Sequence, residues 1–238
     1  MSGSPSETVE PVSEPTLDPL TNHRRAMLYS FLLLAALLLL FLAVGRHPGE
    51  LGTTTTWPPI GRFDGDVYRF VQEHPDAPTT SIAKALNVIG GGMVTIPLRI
   101  VVALYLGLRR YWRALAVWLL TWVAAEMILT FAKAWFMRTR PPLPLVVTRG
   151  YSFPSGHAVA GAAIAVALVL VSMPAGPKRR KWEVLAAAAA FVMAMSRVEL
   201  SAHWFSDVVA GVLLGTGVAL GAAALVTEIR DLGARRRT

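Results

Sequence analysis

His203 and Asp207 stand four residues apart in the segment Ser196-Arg197-Val198-Glu199-Leu200-Ser201-Ala202-His203-Trp204-Phe205-Ser206-Asp207. If a helix begins near His203, that spacing places an imidazole and a carboxylate on one face. A carboxylate behind a histidine fixes its tautomer and raises its basicity. Arg197 lies six residues upstream, and a guanidinium fork suits phosphate oxygens. The same residues could equally bind lipid headgroups at a membrane interface, so this segment alone does not decide between catalysis and anchoring.

Two further segments bear on that choice. Lys133-Ala134-Trp135-Phe136-Met137-Arg138-Thr139-Arg140-Pro141 carries two cations seven residues apart, and Pro154-Ser155-Gly156-His157 opens an apolar run. A helix continued from Lys133 would aim both cations one way; Pro141 ends such a helix, so Arg140 could instead come from the loop. Lys133, Arg140 and Arg197 around one pocket would repel each other unless an anion sat among them, and phosphate is a natural counter-ion. Ser155 and Gly156 fall at a helix start, where unpaired amides and the positive end of the dipole favour an anion. Ser155 could cap that helix or bond a phosphoryl oxygen, and Gly156 lets the backbone approach closely. His157 supplies a second imidazole, which permits division of labour between two histidines.

In order and spacing the three segments match Lys-x6-Arg-Pro, Pro-Ser-Gly-His and Ser-Arg-x5-His-x3-Asp, and over roughly residues 60–226 the chain resembles the type 2 phosphatidic acid phosphatase superfamily. That superfamily spans lipid phosphatases, a sugar phosphatase and vanadium haloperoxidases. The resemblance implies that His203 is the nucleophile and forms a phosphohistidine, with Asp207 holding its ring. It implies that His157 protonates the leaving group and then activates water. Lys133, Arg140, Arg197, Ser155 and the Gly156 amide would stabilise charge on the equatorial oxygens. Neither a metal nor another cofactor is expected, since these cations take over the charge neutralisation that Mg²⁺ supplies elsewhere.

Apolar residues make up 54% of the 238 positions, in blocks long enough to cross a bilayer. The expected fold is therefore all-α, a bundle of six transmembrane helices. Their expected ranges are residues 26–44, 90–108, 114–132, 156–173, 182–198, and from 203 or 205 to 226. Residues 1–22 read as a disordered tail, 23–228 as the membrane domain and 229–238 as a basic tail. The first block is too long for a signal-peptide core and reads as a retained membrane helix. Residues 45–88 read as a polar connection holding one short amphipathic helix near 64–73 on the membrane surface, where it could also cap the site.

The net charge of +8 does not point to nucleic acid, because the basic residues flank the apolar blocks. Arg24, Arg25, Arg109, Arg110, Arg113, the run Lys178–Lys181, Arg230 and Arg235–Arg237 fall on one side, which the positive-inside rule makes cytoplasmic. Both termini are then cytoplasmic, and the motif residues gather on the extracytoplasmic face of a cell membrane. The expected partners are the bilayer and a lipid substrate, either a lipid phosphate or a polyprenyl diphosphate. A non-catalytic lipid-phosphate binder or transporter is the competing class, with a haloperoxidase as a further alternative.

Two charges fall inside expected spans. Burying isolated charges there costs roughly 2.5–3.5 kcal/mol each, so an Arg99–Glu126 pair is expected. Glu199, beside Arg197, could orient the site or simply be an exposed turn residue. Gly211-x3-Gly215 and Gly217-x3-Gly221 are expected to pack helices closely within the chain. There is no cysteine, which excludes disulfides and thiolate metal sites.

Overall fold

The computed structural model describes residues 23–45 and 57–235, whose regular structure is all helical with no strand among them. The helices are α1 (His23–Val44), α2 (Pro58–Glu73), α3 (Ala77–Ile89), α4 (Gly92–Leu108), α5 (Trp112–Phe136), α6 (Gly156–Ser172), α7 (Pro177–Glu199) and α8 (Phe205–Arg235). The tail at 1–22 and the threonine run at 53–56 lie outside the described residues.

Helices α1, α5 and α8 are long and apolar enough to cross a membrane. The α3–α4 pair passes the same test only when taken together, bent by 49° at Gly90–Gly91 as a broken span or a re-entrant loop, while α6 is a shorter apolar helix. The chain is thus a multi-pass membrane protein with three or four such spans among the described residues. Much of the outward face is large and apolar, as in Phe31, Leu39, Leu42, Met93, Val101 and Phe131, which suits lipid better than water.

Helix α8 is the axis, with α1, α5, α6 and α7 against it. Its small residues let neighbours come close: a β-carbon added at Gly211 would fall 2.8 Å from the Ser155 carbonyl oxygen, and one at Gly215 2.5 Å from that of Val159. Ser30 Oγ of α1 donates to the Gly217 carbonyl (2.8 Å). Both glycine pairs therefore serve packing inside the chain, as their spacing suggested.

The Arg99–Glu126 pair is present at 2.6 Å and joins α4 to α5. Arg99 is buried, its guanidinium faces Trp122, and its carbonyl accepts from the Trp118 indole (3.0 Å). Removing one partner of such a pair strands the other charge. Arg99→Ala is expected to cost about 1–3 kcal/mol, read as a lower melting temperature in detergent. Arg99→Met combined with Glu126→Gln should recover part of that loss.

Three boundary expectations are corrected. The stretch after residue 73 is not a connection, since α3 occupies 77–89. Asp76 caps that helix by accepting from the Thr79 amide (3.0 Å), and Pro78 stands in its first turn. Asp-Ala-Pro is a start signal, but weak apolar periodicity hid it. Helix α8 continues beyond residue 226 to Arg235. Helix α2 also begins six residues before the expected start, at Pro58, where the Trp57 amide donates to the Ala43 carbonyl (2.7 Å) and brings α2 alongside the end of α1.

Candidate active site

All eight residues singled out by spacing lie at one end of the bundle. Lys133 is in the last turn of α5, and Arg140 is in the loop that follows. Ser155 is the residue before α6, and Gly156 and His157 open that helix. Arg197 closes α7, His203 sits in the turn after it, and Asp207 is in the first turn of α8. Two left-handed residues shape this end. Met137 (φ 48°) terminates α5, with its amide on the Lys133 carbonyl, and Ser201 (φ 48°) turns the chain between α7 and α8. Each such non-glycine residue costs about 1–2 kcal/mol, offset here by the hydrogen bonds of the turn it makes.

His203 Nδ1 donates to Asp207 Oδ2 over a long 3.3 Å, and that oxygen also accepts from the Trp204 amide (2.9 Å). Arg140 Nη1 lies 3.0 Å from His203 Nε2. A guanidinium can only donate, so Nε2 is bare and Nδ1 carries the proton, the tautomer an Nε2 nucleophile requires. Burial pushes His203 down to about 4, against the pull of Asp207 and with help from the positive charges of Arg140 and Lys133. The ring is therefore neutral at ordinary pH.

Arg140 spends its other donors on carbonyls: Gly150 (3.0 Å), Ala202 (2.7 Å), Arg149 (2.9 Å) and Tyr151 (3.2 Å). Burial holds its guanidinium below the usual range, although Asp207 draws it back up. Lys133 Nζ also donates to the Tyr151 carbonyl (2.6 Å). Any anion that engages Arg140 must take over bonds now made to the 149–151 loop, to Ala202 or to His203.

On the other wall, His157 Nε2 donates to the Asn87 carbonyl (3.0 Å), and Arg197 Nη1 donates to Asn87 Oδ1 (2.6 Å). Arg197 is 3% exposed, and its Nε has no partner among the described residues. Ser155 Oγ is likewise buried without a partner, and its side chain does not cap α6. The Ser155 amide instead donates to the Asp207 carbonyl (3.0 Å), tying the start of α6 to α8. Buried polar atoms are rarely left unpaired. Here a guanidinium Nε, a hydroxyl and the uncapped first amides of α6 await an acceptor at the same end of the bundle.

Spacing did not reveal three participants. Arg138, inside the variable part of its motif, is 5% exposed and donates to Asp207 Oδ1 (2.7 Å) and to Asp64 Oδ2 (2.7 Å). Asp64 on α2 also accepts from the Ser206 amide (2.8 Å) and hydroxyl (2.6 Å). Asn87 on α3 is the third. Helix α2 is thus more than a surface helix, because its inner face is bonded into the His203–Asp207 corner. Further contacts join the α2–α3 hairpin to that corner, with Gln72 Nε2 on Ser201 Oγ (2.7 Å) and Thr80 Oγ1 on Glu199 Oε1 (2.7 Å). Glu199 consequently faces α3 and is half-buried, neither holding Arg197 nor pointing to solvent.

Fold and site together define a multi-pass helical membrane protein with a cationic, histidine-bearing cluster at one end of the bundle. Residues 115–231 match the model of the PAP2 superfamily and form a domain of that superfamily. Phosphatidylglycerophosphatase B of Bacillus subtilis (strain 168) is 35% identical over 109 residues, which cover 40% of this chain. The chain spans about half the length of that curated relative, 54%. Two crystal structures share the fold. That of a transmembrane PAP2-type phosphatidylglycerolphosphate phosphatase from Bacillus subtilis matches with a TM-score of 0.68 at 21% identity, covering 85% of this chain and 96% of that one. That of Aquifex aeolicus LpxE matches with a TM-score of 0.56 at 19% identity, covering 67% and 94%.

Proposed function

We propose that this protein is an integral membrane phosphatase that hydrolyses the phosphate monoester or diphosphate of a lipid through a phosphohistidine on His203. The observation that carries this reading is the pairing of a neutral, correctly protonated His203 with unmet buried donors at Ser155 and Arg197. A protein that only gripped the headgroup would need the cations but not a bare Nε2 backed by Asp207.

In the proposed reaction the phosphoryl group enters beside Arg140, whose Nη1 leaves the Nε2 lone pair and turns to a phosphoryl oxygen. Nε2 then attacks phosphorus in line as the bond to the leaving oxygen breaks, and Asp207 balances the charge on the ring. Lys133, Arg140, Arg197, Ser155 and the Gly156 amide hold the equatorial oxygens. His157 gives its proton to the leaving oxygen and afterwards takes one from the water that cleaves the phosphohistidine. No step calls on a metal, so dialysis against EDTA should leave activity intact. Loss of activity restored by Mg²⁺ would contradict that.

A lipid substrate is favoured by an apolar groove of about 820 Å³ between α1, α6, α7 and α8. It is continued by one of about 360 Å³ between α2, α3 and α7, and both are lined by Phe205, two residues from Asp207. We read the protein as six spans with both termini cytoplasmic and the pocket on the extracytoplasmic side, which lets an acyl or prenyl chain stay in lipid while its phosphate is cleaved. Inorganic phosphate release by the purified protein in detergent, across phosphatidic acid, phosphatidylglycerol phosphate and a polyprenyl diphosphate, tests the reading. Binding of these lipids without release would make it a carrier.

The titration of His203 gives a second check. Nε2 must carry no proton for attack, so the acid limb of activity should fall as pH drops through about 4, while the proton that His157 gives to the leaving oxygen governs the alkaline side. The acid limb of kcat/KM is thus expected well below the ordinary histidine value of about 6.5. A limb near that ordinary value would show that the ring is neither buried nor crowded by cations during catalysis.

A further inference from the structure

Asp64 lies on α2, outside the residues that match the superfamily model, yet it is 2% exposed and sits within the corner. Each of its three hydrogen-bond partners is a donor: the Ser206 amide, the Ser206 hydroxyl and Arg138 Nη2. Two of these, the amide and the guanidinium, can only donate, which is the pattern a carboxylate takes. The Ser206 hydroxyl can donate to Asp64 because it accepts from Arg138 Nη1 (2.7 Å). The same Nη1 also reaches Asp207 Oδ1 (2.7 Å), and the Trp204 ring covers the guanidinium.

One buried arginine is therefore shared by two buried carboxylates. The three groups carry one net negative charge, placed directly behind His203. Without Asp64, Arg138 would cancel Asp207. The ring would then face Arg140 from the loop and Lys133 from α5 with Asp207 still beside it but no net negative charge behind it. An imidazole that gains a phosphoryl group or a proton becomes cationic, and a net negative charge behind it favours that state.

We propose that Asp64 is a positioning residue for the His203–Asp207 pair, acting through Arg138 and Ser206 to fix the aspartate and to leave the buried network one negative charge for the cationic ring. The proposal rests on the reading of His203 as nucleophile, and it makes the α2–α3 hairpin part of the reaction machinery. Helix α2 then does two things at once: it closes the corner against water and sets its charge. Gln72 belongs to the same helix and docks on the same turn through Ser201, but it is neutral. Docking and charge can therefore be separated by mutation.

The experiment compares Asp64→Asn with Gln72→Ala in the full-length protein in detergent. The readouts are steady-state phosphate release and the His203 titration, followed by ¹⁵N-histidine NMR without substrate and assigned by its loss in His203→Gln. For Asp64→Asn the NMR midpoint should fall by about one unit. Its kcat should drop about tenfold or more with KM held within about twofold, as for an interaction made mainly in the transition state. Gln72→Ala should lower thermal stability without moving the midpoint. An Asp64→Asn protein that loses thermal stability but keeps both the wild-type midpoint and kcat overturns the proposal. Should Asp64→Asn not fold, Asp64→Glu carries the test: a midpoint near wild type supports retained charge, and a fall overturns it. Wild-type protein inactive on every lipid phosphate counts against the phosphatase reading alone, because the NMR comparison still decides the role of Asp64.

Discussion

His203→Ala is expected to lower turnover by on the order of a thousandfold or more, since the covalent step and the proton transfers coupled to it are lost together. The fold should survive. Asp207 loses only its long 3.3 Å bond to the ring, keeping Arg138 at 2.7 Å and the Trp204 amide at 2.9 Å. Arg140 loses one contact and keeps four carbonyl acceptors. A melting temperature near wild type should thus accompany the loss of phosphate release. Rapid-quench trapping should find an acid-labile phosphoenzyme in the wild type and none in the variant. A folded His203→Ala protein that turns over at the wild-type rate would remove the nucleophile assignment. His157→Ala should be milder with substrates whose leaving oxygen is already acidic, because a good leaving group needs less protonation. That difference separates the two histidines, which a common role in binding would not do.

The parts of this site that could be read from residues alone are those held by local spacing. His203 and Asp207 meet because a turn and a helix start set them four apart. Ser155, Gly156 and His157 belong together because one helix begins there. The Arg99–Glu126 pair was legible for a different reason: two lone charges in apolar blocks at matched depth have few other partners. Asp64 could not be found that way. It lies 142 residues from Ser206, in a stretch whose charged residues otherwise face outward, and burial of one of them is settled only by how α2 packs. Arg138 was hidden in a different manner, because its neighbour Arg140 occupies the motif position and neither spacing nor composition tells which arginine turns inward. Asn87 contributes a backbone carbonyl as well as a side chain, and a carbonyl leaves no mark on composition. These cases share one cause: long-range polar contacts between the α2–α3 hairpin and the bundle depend on tertiary packing, to which periodicity is blind.

The same packing makes the second large prediction. A methyl group on Gly215 would stand 2.5 Å from the Val159 carbonyl oxygen, 2.8 Å from the Ala163 nitrogen and 2.9 Å from the Ala162 β-carbon. One on Gly211 would stand 2.7 Å from the Ala158 β-carbon, 2.8 Å from the Ser155 carbonyl oxygen and 3.1 Å from the Val159 nitrogen. Two of the three neighbours at each position are backbone atoms of α6 or of Ser155 just before it, which cannot rotate aside as a side chain can, so the helices must separate. Gly215→Val is expected to cost at least about 3 kcal/mol or to prevent folding, at the upper end of overpacking penalties. Gly211→Ala is the more informative change because its clash falls on Ser155. Pushing α6 from α8 there would strain the Ser155 amide bond to the Asp207 carbonyl and shift the α6 amides relative to His203. Misplacement on the order of 1 Å can cost about a hundredfold in rate, so activity should fall further than stability. Gly233→Ala is the control, since nothing lies within 4 Å of an added methyl. It should be neutral or gain up to about 1 kcal/mol from helix propensity. Thermal unfolding of the three variants, with phosphate release measured on those that fold, decides the matter. If Gly211→Ala were as benign as Gly233→Ala, close contact between α6 and α8 could not be what aligns the two halves of the pocket.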